Sequence, residues 1–238
     1  MRYGMEIPDL PSHCDGCGSP FSVCHALDCK KGGLVTARHN DITGELADQA
    51  TKAFSPSAVR DEPLIHPGRG GNKGEKAKAA KSNNQSATVE NEEKGDLLIR
   101  DLWCRGTDCI LDTRCVNLDA KSYRNRDPDK VLASHSRQKK KKYLQPCLDQ
   151  RRHFTPFVVS VDGLLEDEAV AVLRKLASRL ASRWDQPYSQ TMGYVRSRMA
   201  LAIVRATHRC IRGSRVPTSR VSVRRPQWED GAGLHLFR

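Results

Sequence analysis

Two aspartates and a lysine carry the chemistry this chain offers most openly. Asp96 opens an apolar run, Leu97-Leu98-Ile99, and Asp112 sits inside a second, Cys109 to Val116, with a turn at Arg105-Gly106-Thr107 between them. Two short apolar runs joined through a glycine turn predict a β-hairpin. A carboxylate among apolar strand residues is costly to bury unpaired. Two on neighbouring strands repel each other unless a cation lies between them. Mg²⁺ meets that need with one or two carboxylates plus phosphate oxygens. A basic helix follows and ends in Gln138-Lys139-Lys140-Lys141-Lys142-Tyr143. Leu132, Lys139 and Tyr143 share one of its faces, with His135 beside them, whereas Lys141 points roughly the opposite way. Lys139 is therefore the residue expected to reach the strands, with Lys142 second. An ammonium there would stabilise charge on a reacting phosphate. These residues together predict a metal-dependent nuclease centre.

A second group has metal-ligand spacing. Cys14 and Cys17 form a Cys-x-x-Cys; His25 follows after seven residues and Cys29 after three more. That pattern fits a tetrahedral zinc knuckle. Gly16 and Gly18 allow the tight turn that turns both thiolates toward one ion. Cys24 is a spare thiol that could take the place of His25. A closed four-ligand site is structural, so this zinc would shape and anchor.

The elements that must position these groups can be read in order. The knuckle fills 1–33. A helix is expected from Leu34 to Phe54, with Leu46, Ala50 and Ala53 on one stripe and Pro56 stopping it. Its first turn carries Arg38-His39-Asn40, which reads equally as polar groups at the core edge or as a nucleic-acid contact. Glu45 on the same helix is a possible third carboxylate. Glu62 to His66 suggests a short strand and completes a unit at 34–66. Residues 67–94 are Gly, Lys, Asn, Ser and Glu with almost nothing apolar, the signature of a disordered linker or surface insertion. The hairpin, a helix from about 128 to 150 and a strand at Phe157–Val161 make a core at 95–163. A helical extension at 164–212 has inner faces set by Leu165, Ala169, Leu173, Leu176, Leu180 and Trp184, then by Met192, Val195, Met199, Ile203, Ala206 and Cys210. On the second of these helices Arg198, Arg205, Arg209 and Arg212 align about a quarter turn from the apolar face. Such a row fits a phosphate backbone, or a solvated face. A basic tail, 213–238, ends the chain.

The 238 residues carry 40 Lys and Arg against 28 Asp and Glu, a formal charge of +12. The excess is uneven: −1 over 1–95, +4 over 96–150 and +9 from Arg151 onward. A cationic C-terminal half points to a polyanion, DNA first and RNA second. No apolar run approaches the length of a membrane span. Met1 to Leu10 lacks a secretory pattern, and nine cysteines without one argue for metal ligation and free thiols. A nuclear or cytoplasmic protein is expected, not a secreted one.

The order helix, three strands, helix, strand, with acids on the second and third strands and a lysine on the following helix, resembles the restriction-endonuclease-like αβββαβ fold of the PD-(D/E)xK nucleases. More narrowly, the chain is similar to the C-terminal region of non-LTR retrotransposon polyproteins. There a Cys, Cys, His, Cys knuckle, an Arg/Lys-His-Asp/Asn motif and an endonuclease follow one another. Gly106-Thr107-Asp108, Asp119 to Tyr123 and Arg152 to Gly163 resemble reverse-transcriptase-associated sequences of the same kind. Two departures stand out: Gly95 precedes Asp96 where the family has proline, and Asp112-Thr113-Arg114 replaces acid-x-lysine. Arg114 stays protonated and is no base; the retrotransposon branch draws its lysine from the next helix, as Lys139 would be here. The resemblance implies structural Zn²⁺, catalytic Mg²⁺ or Mn²⁺ on Asp96 and Asp112, and Tyr143 packing or hydrogen-bonding nearby. It also implies nicking of target DNA for a reverse transcriptase that this chain does not contain. The rival expectation is a nucleic-acid-binding remnant that keeps the fold and zinc without cleavage.

Overall fold

The computed structural model describes residues 7–66 and 93–216. The expected insertion at 67–94 and tail at 213–238 lie outside the described residues, save 93–94 and 213–216. Five α-helices are present among the described residues.

Helix α1 (Val23–Asp28) is short and capped by Ser22, whose hydroxyl accepts the His25 N–H. Helix α2 (Leu34–Ala53) buries Leu34, Ile42, Leu46, Ala50 and Ala53 along one stripe. Strands β1 (Val59–Asp61), β4 (Leu97–Arg100), β5 (Asp108–Val116) and β6 (His153–Ser160) form a four-stranded sheet in the order β1-β4-β5-β6. The β1–β4 and β4–β5 pairs are antiparallel and β5–β6 is parallel. Strands β2 (Leu64–His66) and β3 (Glu93–Lys94) pair only with each other. The strand expected at 62–66 therefore leaves the sheet, and its neighbour Val59-Arg60-Asp61 joins it instead. Three residues, two of them charged, gave no alternation to read, which suits an edge strand.

Parallel strands need a crossover, and helix α3 (Pro128–Asp149) supplies it between β5 and β6. Asp127 caps it by accepting the N–H groups of Asp129 and Lys130, and Pro128 sits at the first turn where its missing donor costs nothing. Pro156 falls inside β6, which is tolerated because β6 is the sheet's outer strand.

The two-residue alternation of β5 decides what each helix sees. Cys109 and Leu111 face a core built with α2, α4 (Asp167–Trp184) and α5 (Tyr188–Arg212), where Leu173, Leu176, Met199 and Ile203 pack. Ile110 faces the other way, into a cluster with Leu98, Cys147 and Phe154. The sheet is thus covered on both faces, and Asp112, in step with Ile110, lies on the α3 side. Trp184, expected on the inner face of α4, is 38% exposed and stands edge-on to Tyr194 at 5.2 Å. It is the last residue of its helix, beyond the reach of the sheet.

Gly95 has a local reason. Its N–H donates to the Pro63 carbonyl at 2.8 Å, and a Cβ there would collide with Cγ2 of Ile110. Proline at this position would lose the hydrogen bond and meet the collision as well.

Candidate functional site

Asp96 stands immediately before β4, and Asp112 near the middle of β5. The backbone N–H of Asp96 donates to Leu111 O at 3.0 Å, and its Oδ2 accepts the Thr113 N–H at 2.6 Å. Asp96 is thereby stapled on either side of Asp112 in sequence, and the two carboxyl groups come within hydrogen-bonding reach of each other. Lys139 reaches over from α3 and places Nζ 2.5 Å from Asp112 Oδ2. Asp112 is 6% exposed, so this is a nearly dry ion pair.

A fourth group completes the cluster. His39, on α2, sets Nε2 3.1 Å from Asp96 Oδ1. Burial pushes the Asp112 carboxyl up to about 6; the nearby Lys139 ammonium opposes the rise and the Asp96 charge adds to it. For Asp96 burial also works upward, but the His39 hydrogen bond and charge and the Thr113 N–H outweigh it, leaving the carboxyl below its ordinary value. The Asp96 hydrogen bond raises the His39 imidazole, against its partial burial. The four heads run in the order His39, Asp96, Asp112, Lys139, with the two acids side by side between the two bases.

Electrostatics here make a pH prediction for magnesium-free protein. Asp112 has a raised native pKa, so its contribution favours folding fully below the ordinary 3.8 and is lost as pH rises through about 6. His39 is also raised, so its contribution is present below 6.5 and is lost as pH climbs through the higher native value. Both slope the same way; Asp96, depressed, matters only in acid. Asp112→Asn should therefore be more stable than wild type at pH 8, by on the order of 2 kcal/mol, and no more stable near pH 4. Thermal unfolding of both proteins across that range checks this; a pH-independent difference would dismiss the assignment.

The remaining lysines of the run go elsewhere. Lys142 pairs with Glu93 of β3 at 2.9 Å and touches the Tyr143 hydroxyl at 2.9 Å. Lys140 pairs with Glu168 of α4. The Tyr143 ring packs at 5.6 Å from Phe154, and Lys139 Nζ lies 5.7 Å from its centroid. Tyr143 thus shores up the lysine's side of the site.

In the knuckle, Cys14, Cys17, His25 and Cys29 bring their four ligand atoms within 4.8 Å of one another. Cys14 Sγ is 3.8 Å from Cys29 Sγ, Cys17 Sγ is 3.9 Å from Cys29 Sγ, and Cys17 Sγ is 3.3 Å from His25 Nε2. A tetrahedron with zinc–sulfur bonds of about 2.3 Å has sulfur–sulfur edges of about 3.8 Å, so the cluster could hold a metal such as zinc. Hydrogen bonds from Ser19 bring the Cys17 thiol down to about 6, which favours the thiolate that a metal needs. Cys24 is not the fourth ligand. Its thiol contacts Asp119 O and Asn117 Nδ2, each at 3.6 Å, on the segment after β5.

Two buried arginines fix the knuckle to the rest. A helix leaves its last carbonyls unsatisfied, and those of α1 are met by guanidinium groups: Arg38 Nη1 donates to Leu27 O at 3.0 Å, and Arg215 Nη2 to Ala26 O at 2.9 Å. Arg38 and Arg215 are each 3% exposed. Arg38 is therefore a structural clasp, the first of its two readings and not the nucleic-acid contact; its partner in the motif, His39, is the one that meets an acid.

The arginine row on α5 also has a different occupation from the expected one. Arg198 forks onto both oxygens of Glu45 at 2.9 and 2.8 Å and reaches Asp48 at 3.2 Å. Arg209 pairs with Asp41 at 2.9 Å, and Arg212 donates to the carbonyls of Pro8 and Asp9. Arg205 is exposed beside them. Asp41, Glu45 and Asp48 on α2 take Arg209 and Arg198, so these two arginines tie helix to helix, and Glu45 is an arginine partner here, not a third acid of the site.

The chain matches no protein-family model, and no curated protein matches it. Among the described residues no helix is long and apolar enough to cross a membrane. What stands is a mixed α/β protein with a Cys₃His cluster and, on its sheet, a buried Asp112 beside a half-buried Asp96, flanked by a lysine and a histidine.

Proposed function

We propose that this chain is the endonuclease-like part of a retrotransposon-derived protein, hydrolysing a phosphodiester bond in DNA to make a nick that a reverse transcriptase elsewhere extends. The observation that carries the reading is the pairing of buried Asp112 with half-buried Asp96, with Lys139 against it. Two carboxylates crowded together with one of them raised to about 6 is an unfavourable arrangement for stability alone, and the donor set is all hard oxygen, which suits Mg²⁺ or Mn²⁺.

Asp96 and Asp112 would hold the divalent cation. When bound, such a cation lowers the pKa of a water and offsets charge on the phosphate. Lys139, now paired with Asp112, would position the attacking water or neutralise the developing phosphoryl charge. His39 keeps Asp96 oriented through its hydrogen bond. Tyr143 limits where the lysine can swing. The knuckle, clasped through Arg38 and Arg215, would help to seat the target DNA, and a nuclear location follows from that substrate.

Supercoiled plasmid should be converted to open circles by the full-length protein with Mg²⁺ or Mn²⁺, and not when the divalent cation is omitted. Binding of the same plasmid with no nicking under any divalent cation would replace the enzyme by the non-catalytic remnant. Absence of binding at low salt would dismiss both.

A further inference from the structure

One turn of α3 before Lys139, the surface opens into a recess of about 550 Å³, within the usual range for ligand sites. Tyr123, Val131 and His135 give it an aromatic and apolar lining; Arg126 and Lys130 stand at its rim, and Ser134 and Gln138 add polar groups. Both cations are exposed, and so is the one carboxylate in the lining, Asp127, whose Oδ1 accepts the N–H groups of Asp129 and Lys130. The recess therefore carries two cations against one acid that is engaged as a helix cap.

Its floor holds an unexplained polar group. His135 is 4% exposed, yet its Nδ1 has no hydrogen-bond partner. Buried polar atoms are nearly always satisfied. Tyr123 meets this imidazole edge-to-face at 5.4 Å and 87°, and its ring packs against Val116, Val131 and Leu132. Tyr123 is thus held rigidly, half-buried, at the side of a recess whose base carries an unsatisfied donor–acceptor.

We propose that this recess takes one unpaired nucleotide of a DNA strand, its base against the Tyr123 ring that His135 backs from beneath, and its phosphate on Arg126 and Lys130. An aromatic wall serves any base face, and flanking cations track the backbone. His135 stands one turn of α3 before Lys139, so the recess adjoins the helix that carries the lysine. The assignment relies on the nuclease reading only for the choice of polymer.

The test is fluorescence anisotropy of the full-length protein in magnesium-free buffer, using a labelled oligothymidylate and a labelled duplex of equal length. Tyr123→Ala should weaken single-strand binding by about tenfold, and Tyr123→Phe by less than about twofold. Lys130→Ala should reduce the salt slope by about 0.7. Duplex affinity should move by less than about twofold in Tyr123→Ala. Unchanged single-strand binding in Tyr123→Ala, equal losses for both forms of DNA, or no single-strand binding by wild type at low salt would each overturn the recess. Tyr123-dependent binding without plasmid nicking would leave the recess standing and remove the nuclease; nicking without it would do the reverse.

Discussion

Asp112→Ala will lose plasmid nicking by at least about a thousandfold, some 4 kcal/mol of barrier, and will do so in a protein that still folds. Asp112 is the most buried of the four heads, and Lys139 and Asp96 both bear on it. Removing it deletes one of two proposed metal ligands and releases the ammonium from its 2.5 Å contact. Stability should move little at neutral pH, because removal of the unfavourable buried charge, the gain expected of Asp112→Asn, is offset in alanine by the lost packing of the shortened side chain. Activity and stability thus part company, which is the mark of a residue kept for chemistry. A second measurement needs no turnover: Mg²⁺ should raise the melting temperature of wild type by mass action and leave that of Asp112→Ala unmoved. Undiminished nicking by Asp112→Ala would sink the catalytic assignment, whatever the binding data say.

Cys29→Ser will lose bound zinc and about 3–5 kcal/mol of stability, whereas Cys24→Ser will keep both. The size follows from what the knuckle holds. When α1 comes undone, Arg38 and Arg215 lose the carbonyls of Leu27 and Ala26 that satisfy them, and an uncompensated buried charge is worth about that much. Cys24 faces Asn117 and Asp119, so its replacement leaves the cluster intact. Zinc content by elemental analysis with thermal unfolding on the same samples settles the matter. Zinc loss in Cys24→Ser, or a full complement in Cys29→Ser, would reassign the ligand set.

Much of this was legible because it is local. The Cys-x-x-Cys and the His and Cys that follow are a spacing, and the apolar stripes of α4 and α5 are periodicities that needed no tertiary knowledge. The choice between Cys24 and His25 needed the start of α1. With Ser22 as cap, His25 and Cys29 stand four residues apart on one face, and Cys24 turns away. Lys139 could be singled out for the same reason, by its helical register with Leu132 and Tyr143.

What stayed hidden depends on partners far away in the chain. Arg38 and His39 are adjacent, yet a rotation of about 100° per helical residue sends one beneath the knuckle and the other to Asp96. Their types alone favoured neither destination. The arginines of α5 look like a surface row until α2 is laid against them; only then do Asp41, Glu45 and Asp48 become their partners. β1 was missed because an edge strand of three residues has too few positions to show alternation.

The small β2–β3 ribbon has a consequence for Asp96. Because His66 pairs with Glu93, the point at which the chain re-enters the fold is fixed three residues before Asp96. The ribbon is thus a clamp on the acid's approach: a slip of one residue in that pairing would move Gly95 off the Pro63 carbonyl and carry Asp96 out of step with Asp112.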